Sequence, residues 1–125
     1  MKKLILFFVL LGCYEKYKEF KTFEKDNIKI TILTQTGNFK IGDNQVKIII
    51  KPKENLIKEL FLYMPPTGKN DEKRIYAKLK SLSNGIYEGN LEIKEKGIWD
   101  LVIILSDGSA ISERIPIGDY DKFGF

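Results

Sequence analysis

GIWDLVIILSDGSAISERIPI, residues 97–117, decides the fold. Trp99, Leu101, Ile103 and Leu105 recur at every second position, which places them on one face of an extended strand rather than on a helical stripe. Asp107-Gly108 interrupts the run, and Ile111, Ile115 and Ile117 resume it. Two alternating runs around an Asp-Gly pair predict an antiparallel hairpin with a type I′ turn, because both central residues of that turn need positive φ and these two tolerate it. Pro116 has no backbone donor, so this last strand is expected at a sheet edge.

The same period of two runs upstream. Ile28, Ile30 and Ile32 form one run, Val46, Ile48 and Ile50 a second, and Leu60, Leu62 and Met64 a third. Ile75, Ala77 and Leu79 form the fourth, and Tyr87, Leu91 and Ile93 the fifth. Asn84-Gly85 lies between the fourth and fifth runs and predicts a second type I′ hairpin. Seven alternating runs separated by turn residues, without a helical stretch, predict an all-β sandwich of about seven antiparallel strands.

The N-terminus carries a different signal. Met1-Lys2-Lys3 precedes eight apolar residues, Leu4 to Leu11, followed by Gly12-Cys13. Eight apolar residues are far short of the roughly 20 that span a bilayer, and a basic start before a short apolar run has the form of an export signal. Leu10-Leu11-Gly12-Cys13 resembles the lipobox of bacterial lipoproteins, which implies cleavage before Cys13 and lipidation of its sulfur. The expected division is a signal peptide at 1–12, a lipidated Cys13 with a tether over 13–25, a domain over 26–118 and a tail over 119–125. Lipid attached at Cys13 would hold the mature chain on the membrane, since more than one acyl chain gives stable anchoring. The tether YEKYKEFKTFEK is expected to be extended or irregular, reaching on the order of 40 Å. Docking of Phe20 and Phe23 on the domain is the other reading.

Composition narrows the function. The chain has 125 residues, enough for one domain, and 43% apolar residues, the composition of a globular protein. It has no histidine and one cysteine. The commonest general base and metal ligand is thus missing, and no disulfide forms once Cys13 is lipidated. Loss of the leader leaves 19 basic against 17 acidic side chains, interleaved along the chain, so no nucleic-acid footprint is present. Ser81, Ser83, Ser106, Ser109 and Ser112 are the available nucleophiles, and none sits in a nucleophile motif. No catalytic residue and no cofactor is expected. The loop from Pro65 to Asp71 offers Asn70, Asp71 and Glu72 as oxygen donors, a short acidic cluster of the kind that usually faces solvent.

Gly42-Asp43-Asn44-Gln45-Val46, Tyr63-Met64-Pro65-Pro66, Asn84-Gly85-Ile86-Tyr87-Glu88-Gly89 and Gly97-Ile98-Trp99-Asp100-Leu101-Val102-Ile103 together resemble a YtkA-like domain. The resemblance runs from about Lys25 to Pro116. It implies an immunoglobulin-like sandwich outside the cytoplasmic membrane, related to FixH proteins and found near copper handling, oxidase assembly or cation export. The same motifs have structural uses: Gly42 and Gly97 permit strands to start, and Tyr87 and Trp99 bury roughly 2–3 kcal/mol of apolar surface each. A mature chain with one Met, no His and no free Cys departs from soft-metal chemistry, so no metal site is expected.

The third and sixth runs are apolar on both faces. In an immunoglobulin-like sandwich they are neighbours, so Phe61, Tyr63, Val102 and Ile104 are expected to form one outward apolar patch. The patch reads either as a surface for an envelope protein or as ground covered by the tether or by Phe123 and Phe125 of the tail. The expected function is a membrane-anchored, extracytoplasmic, non-enzymatic module that supports a respiratory or efflux complex. The alternative is a module that binds a small ligand or cation with the loops at one sandwich end.

Overall fold

The structure is a computed structural model that describes residues 17–66, 68 and 71–118. The leader, Cys13, Asn70 and the tail with Phe123 and Phe125 lie outside the described residues. Among the described residues nine strands follow one another: β1 (Lys18–Lys25), β2 (Ile28–Thr34), β3 (Gly42–Lys51), β4 (Ile57–Met64), β5 (Lys73–Tyr76), β6 (Lys80–Ser83), β7 (Ile86–Ile93), β8 (Gly97–Leu105) and β9 (Ala110–Ile117). They form a five-stranded sheet in the order β1-β2-β3-β7-β6 and a four-stranded sheet in the order β5-β4-β8-β9. Every pairing is antiparallel. Without β1, the orders β2-β3-β7-β6 and β4-β8-β9 are the ABED and CFG sheets of an immunoglobulin-like sandwich, with β5 added beside the C strand.

Alternation builds the core. Ile30 and Ile32 of β2, Val46, Ile48 and Ile50 of β3 and Leu91 and Ile93 of β7 are buried from one sheet. Leu60 and Leu62 of β4, Trp99, Leu101 and Ile103 of β8 and Ile117 of β9 are buried from the other. These positions share the inner face of each strand, so the two sheets close over one continuous apolar layer. Thr34 and Asn44 are the buried polar side chains among the described residues, and Thr34 Oγ1 donates to Asn38 O at 2.9 Å, while Asn44 is 2% exposed. The Asn44 Oδ1 accepts from Lys40 N at 2.9 Å, and its Nδ2 faces Lys40 O, Gly42 O and Leu91 O at 2.8–3.2 Å. A buried amide so engaged costs little and pins the 35–41 loop to β7.

The two additional strands have physical causes. The fourth apolar run is divided: β5 pairs with β4, while β6 pairs with β7 in the opposite sheet. The chain changes sheets between Ala77, whose N–H donates to Leu60 O, and Lys78, whose N–H donates to Asn90 O. Ile75, Ala77 and Leu79 all pack on the core as the chain crosses its edge. Gly89 permits this passage, since a Cβ there would lie 2.8 Å from Lys78 O and from the Leu79 side chain.

Residues 18–25, assigned by sequence to the tether, are the edge strand β1. Phe20 and Phe23 are three apart and would face opposite sides of a regular strand. The register shifts between Glu19 and Lys21, and this bulge at Phe20 lets both rings pack on the core. Phe20 meets Phe39 edge-on with centroids 5.0 Å apart. Lys21 then reaches the other sheet, where its Nζ lies 2.6 Å from Glu113 Oε1.

Asp107-Gly108 joins the expected strands, whereas Asn84-Gly85 joins β7 to β6, which lies beyond the fourth run, and neither turn is type I′. Only the glycine of each pair has positive φ, 77° at Gly85 and 90° at Gly108. The two-residue turn with positive φ at both positions is Asp26-Asn27, at 49° and 66°, between β1 and β2. Pro116 lies on β9, an edge strand as expected. Among the described residues no helix is long and apolar enough to cross a membrane.

Candidate interaction face

The outer face of the four-stranded sheet brings together the four residues singled out by sequence. Phe61 of β4 is directly opposite Val102 of β8. Tyr63 and Ile104 flank that pair on the same face, opposite Asp100 and Glu59. The shared face follows from register, because residues paired across two strands point to the same side. Val102 and Ile104 are half-buried and Tyr63 is partly open. Phe61 is buried at 7% exposure and is therefore not an exposed patch residue.

Neither β1 nor any described part of the N-terminal stretch covers Phe61, since β1 belongs to the other sheet. Its cover comes from β5. Tyr76 is opposite Phe61 in the register, with ring centroids 5.0 Å apart. The Arg74 guanidinium lies 5.6 Å from the Phe61 ring and 5.2 Å from the Tyr63 ring. Tyr76 itself remains 49% exposed, so an aromatic surface is still presented outward.

Arg74 and Arg114 are the two arginines of the whole chain, and both stand on this face. They occupy one row, Arg74–Tyr63–Asp100–Arg114, across four adjacent strands. None of the outward paired positions of β4, β5, β8 and β9 is lysine, although lysine supplies all the other basic side chains. Arg114 Nε lies 3.4 Å from Asp100 Oδ1 and Arg74 Nε lies 3.6 Å from Glu72 Oε1. A hydrogen bond to Tyr76 and the Glu72 charge hold the Arg74 guanidinium above its ordinary pKa. A hydrogen bond to Glu72 also raises the Tyr63 phenol. The row is thus a preorganised strip of rings and planar cations with carboxylates between them.

Sequence reasoning missed Arg74, Tyr76 and Arg114. The scarcity of arginine was a readable signal. Bringing Arg74 and Tyr76 over Phe61 required the division of the fourth run, which apolar periodicity does not disclose.

A concavity of about 430 Å³ opens between β5 and the β7–β8 connection. Its lining includes Lys73, Ile75, Tyr76, Glu92, Glu95 and Trp99. The Trp99 indole is 1% exposed and donates from Nε1 to Glu95 O at 3.2 Å. Lys73 forms an ion pair with Glu95. Among the described residues no group of three or more His, Cys, Asp or Glu side chains is arranged to hold a metal ion. The serines with hydrogen bonds serve turns: Ser81 Oγ lies 3.4 Å from Asn55 Oδ1, and Ser109 Oγ donates to Asp107 Oδ1 at 2.6 Å. No protein-family model matches this chain, and no curated protein matches it.

Proposed function

We propose that the protein is an extracytoplasmic lipoprotein, anchored through Cys13, whose sandwich is a non-enzymatic module that binds an envelope protein. The binding surface is the outer face of the four-stranded sheet. One observation carries this reading: both arginines share a face with Phe61, Tyr63 and Tyr76 on which no register-paired outward position is lysine. Interfaces are enriched in Tyr, Phe and Arg and depleted in Lys, because rings and the planar guanidinium lose less freedom and less hydration on burial than an ammonium does. The motif resemblance to YtkA-like domains adds the expectation of an accessory role beside a respiratory or efflux complex.

The test is a photoreactive amino acid placed at Tyr76 or at Val102 in intact membranes, with a control at Lys51 on the opposite sheet. A discrete adduct from the first two positions and not from Lys51 supports the reading. Equal adducts from both faces, or none from either test position, would sink it. The concavity beside Trp99 favours a second reading, a site for a small ligand. Trp99 is the only tryptophan, so a saturable change in its fluorescence on adding periplasmic small-molecule extract is the expected signal. An unchanged spectrum counts against that reading.

A further inference from the structure

The chain reaches β1 by a route that limits how the domain can sit on a bilayer. Tyr17 directly precedes β1, yet its phenol donates to Glu88 Oε1 of β7 at 3.1 Å. The Lys47 ammonium of β3 lies 5.6 Å from the Tyr17 ring. Lys47 and Glu88 are register partners on the outer face of the five-stranded sheet. In that sheet β7 is three strands away from β1, about 14 Å at ordinary strand spacing. Residue 17 therefore lies over the outer face, not beyond the sheet edge. Burial and the Glu88 bond hold the Tyr17 phenol above its ordinary pKa, as a ring laid on the sheet requires.

Only three residues separate Tyr17 from Cys13, and the four steps between them reach at most about 14 Å. The outer face of the four-stranded sheet lies beyond both layers, which are about 10 Å apart before side chains are added. A sulfur tied this closely to the five-stranded face cannot pass around the sandwich.

We propose that the five-stranded sheet lies on the membrane headgroups through its outer face, so that the four-stranded face with Arg74, Tyr76 and Arg114 points away from the bilayer. This rests on the anchoring reading above and adds an orientation to it. Glu24 of β1, Lys29 of β2 and Lys51 of β3 stand in one row across the face, with Lys29 Nζ 3.5 Å from Glu24 Oε1, which leaves Lys51 as the lysine of that row turned to headgroup phosphates. Thr22 and Thr31 place two hydroxyls 3.0 Å apart on the same side. A partner for the arginine row then approaches from the aqueous side.

The experiment uses the full chain, processed in cells and reconstituted in vesicles of phosphatidylethanolamine and phosphatidylglycerol. Spin labels are attached to Asn90→Cys on the five-stranded face and to Ser112→Cys on the four-stranded face. Should Ser112→Cys fail to fold, Ala110→Cys reads the same face. A headgroup-borne nickel chelate is expected to relax the Asn90 label several-fold more than the Ser112 label. Insertion of ten Gly/Ser residues after Glu15 should erase the difference. Equal relaxation, stronger relaxation at Ser112, or a difference that survives the insertion overturns the orientation while leaving the anchor intact. Intact-mass measurement separates the two claims: a Cys13 without lipid overturns the anchoring reading and the orientation with it.

Discussion

Asn44 is where a single side chain does most to shape a loop. Its amide satisfies Lys40 N and the carbonyls of Lys40, Gly42 and Leu91 from a site at 2% exposure. Asn44→Ala removes the amide from the buried Leu91 carbonyl and from the part-buried groups of Lys40 and Gly42, so it should lower the unfolding free energy by about 1–3 kcal/mol, read as a shifted urea midpoint with an unchanged slope. Asn44→Asp should cost more, because a carboxylate cannot donate to three carbonyls. The sequence marks Gly42 to Val46 as a strand start but hides this role, since every partner of the amide is backbone. Turn chemistry is legible to a similar depth: Asn-Gly and Asp-Gly locate hairpins correctly, while the type I′ turn falls on Asp26-Asn27, a pair without glycine. Asp107 illustrates a turn residue with a titration signature. The Ser109 hydroxyl and N–H hold its carboxyl below the ordinary 3.8. A folded pKa below the unfolded one adds stability above pH 3.8 that is lost as pH falls through the folded value. Urea midpoints measured from about pH 5 down to pH 2 should therefore decline less steeply in Ser109→Ala than in the parent.

At the level of elements, the strands with buried isoleucines were readable because their inner faces are apolar except at Thr34 and Asn44, which sit at strand ends. The two that escaped are β1 and the β5–β6 pair, and each breaks period two for a structural reason. A bulge at Phe20 converts a three-residue aromatic spacing into two inward rings, and a change of sheet at Ala77–Lys78 turns one apolar run into two short strands. The candidate face was half legible for the same cause: β4 and β8 were seen as neighbours, and β5 above them was not. Phe20→Ala tests the bulge. The ring is half-buried against Phe39, so its loss should cost about 1–3 kcal/mol, less than a fully buried phenylalanine. Amide exchange should speed up in β1 and in the 35–41 loop first, because both lean on that ring. Uniform acceleration across β8 and β9 instead would mean that β1 is not a separate unit of stability.

For the whole molecule, β1 closes the sandwich as well as extending it. It covers the free edge of β2, and the Lys21–Glu113 ion pair ties that edge to β9 in the other sheet. The edge it presents is rich in charge, with Lys18, Glu19, Lys21, Glu24 and Lys25 along its length, which discourages strand addition from another chain. The edge beneath reads Ile-Lys-Ile-Thr-Ile-Leu-Thr, seven residues with one charge and strong β propensity. A variant beginning at Asp26 should therefore expose a pairing template that a variant beginning at Tyr17 keeps covered. Sedimentation velocity at matched concentrations should show the shorter chain shifting to larger species as concentration rises, while the longer chain holds a constant coefficient. With Thr31→Lys added, the shorter chain should lose this self-association, because a second lysine on the bared edge strand discourages pairing with another chain. If the two chains sediment alike at every concentration, β1 is an ornament of the sandwich and its edge-covering role is wrong.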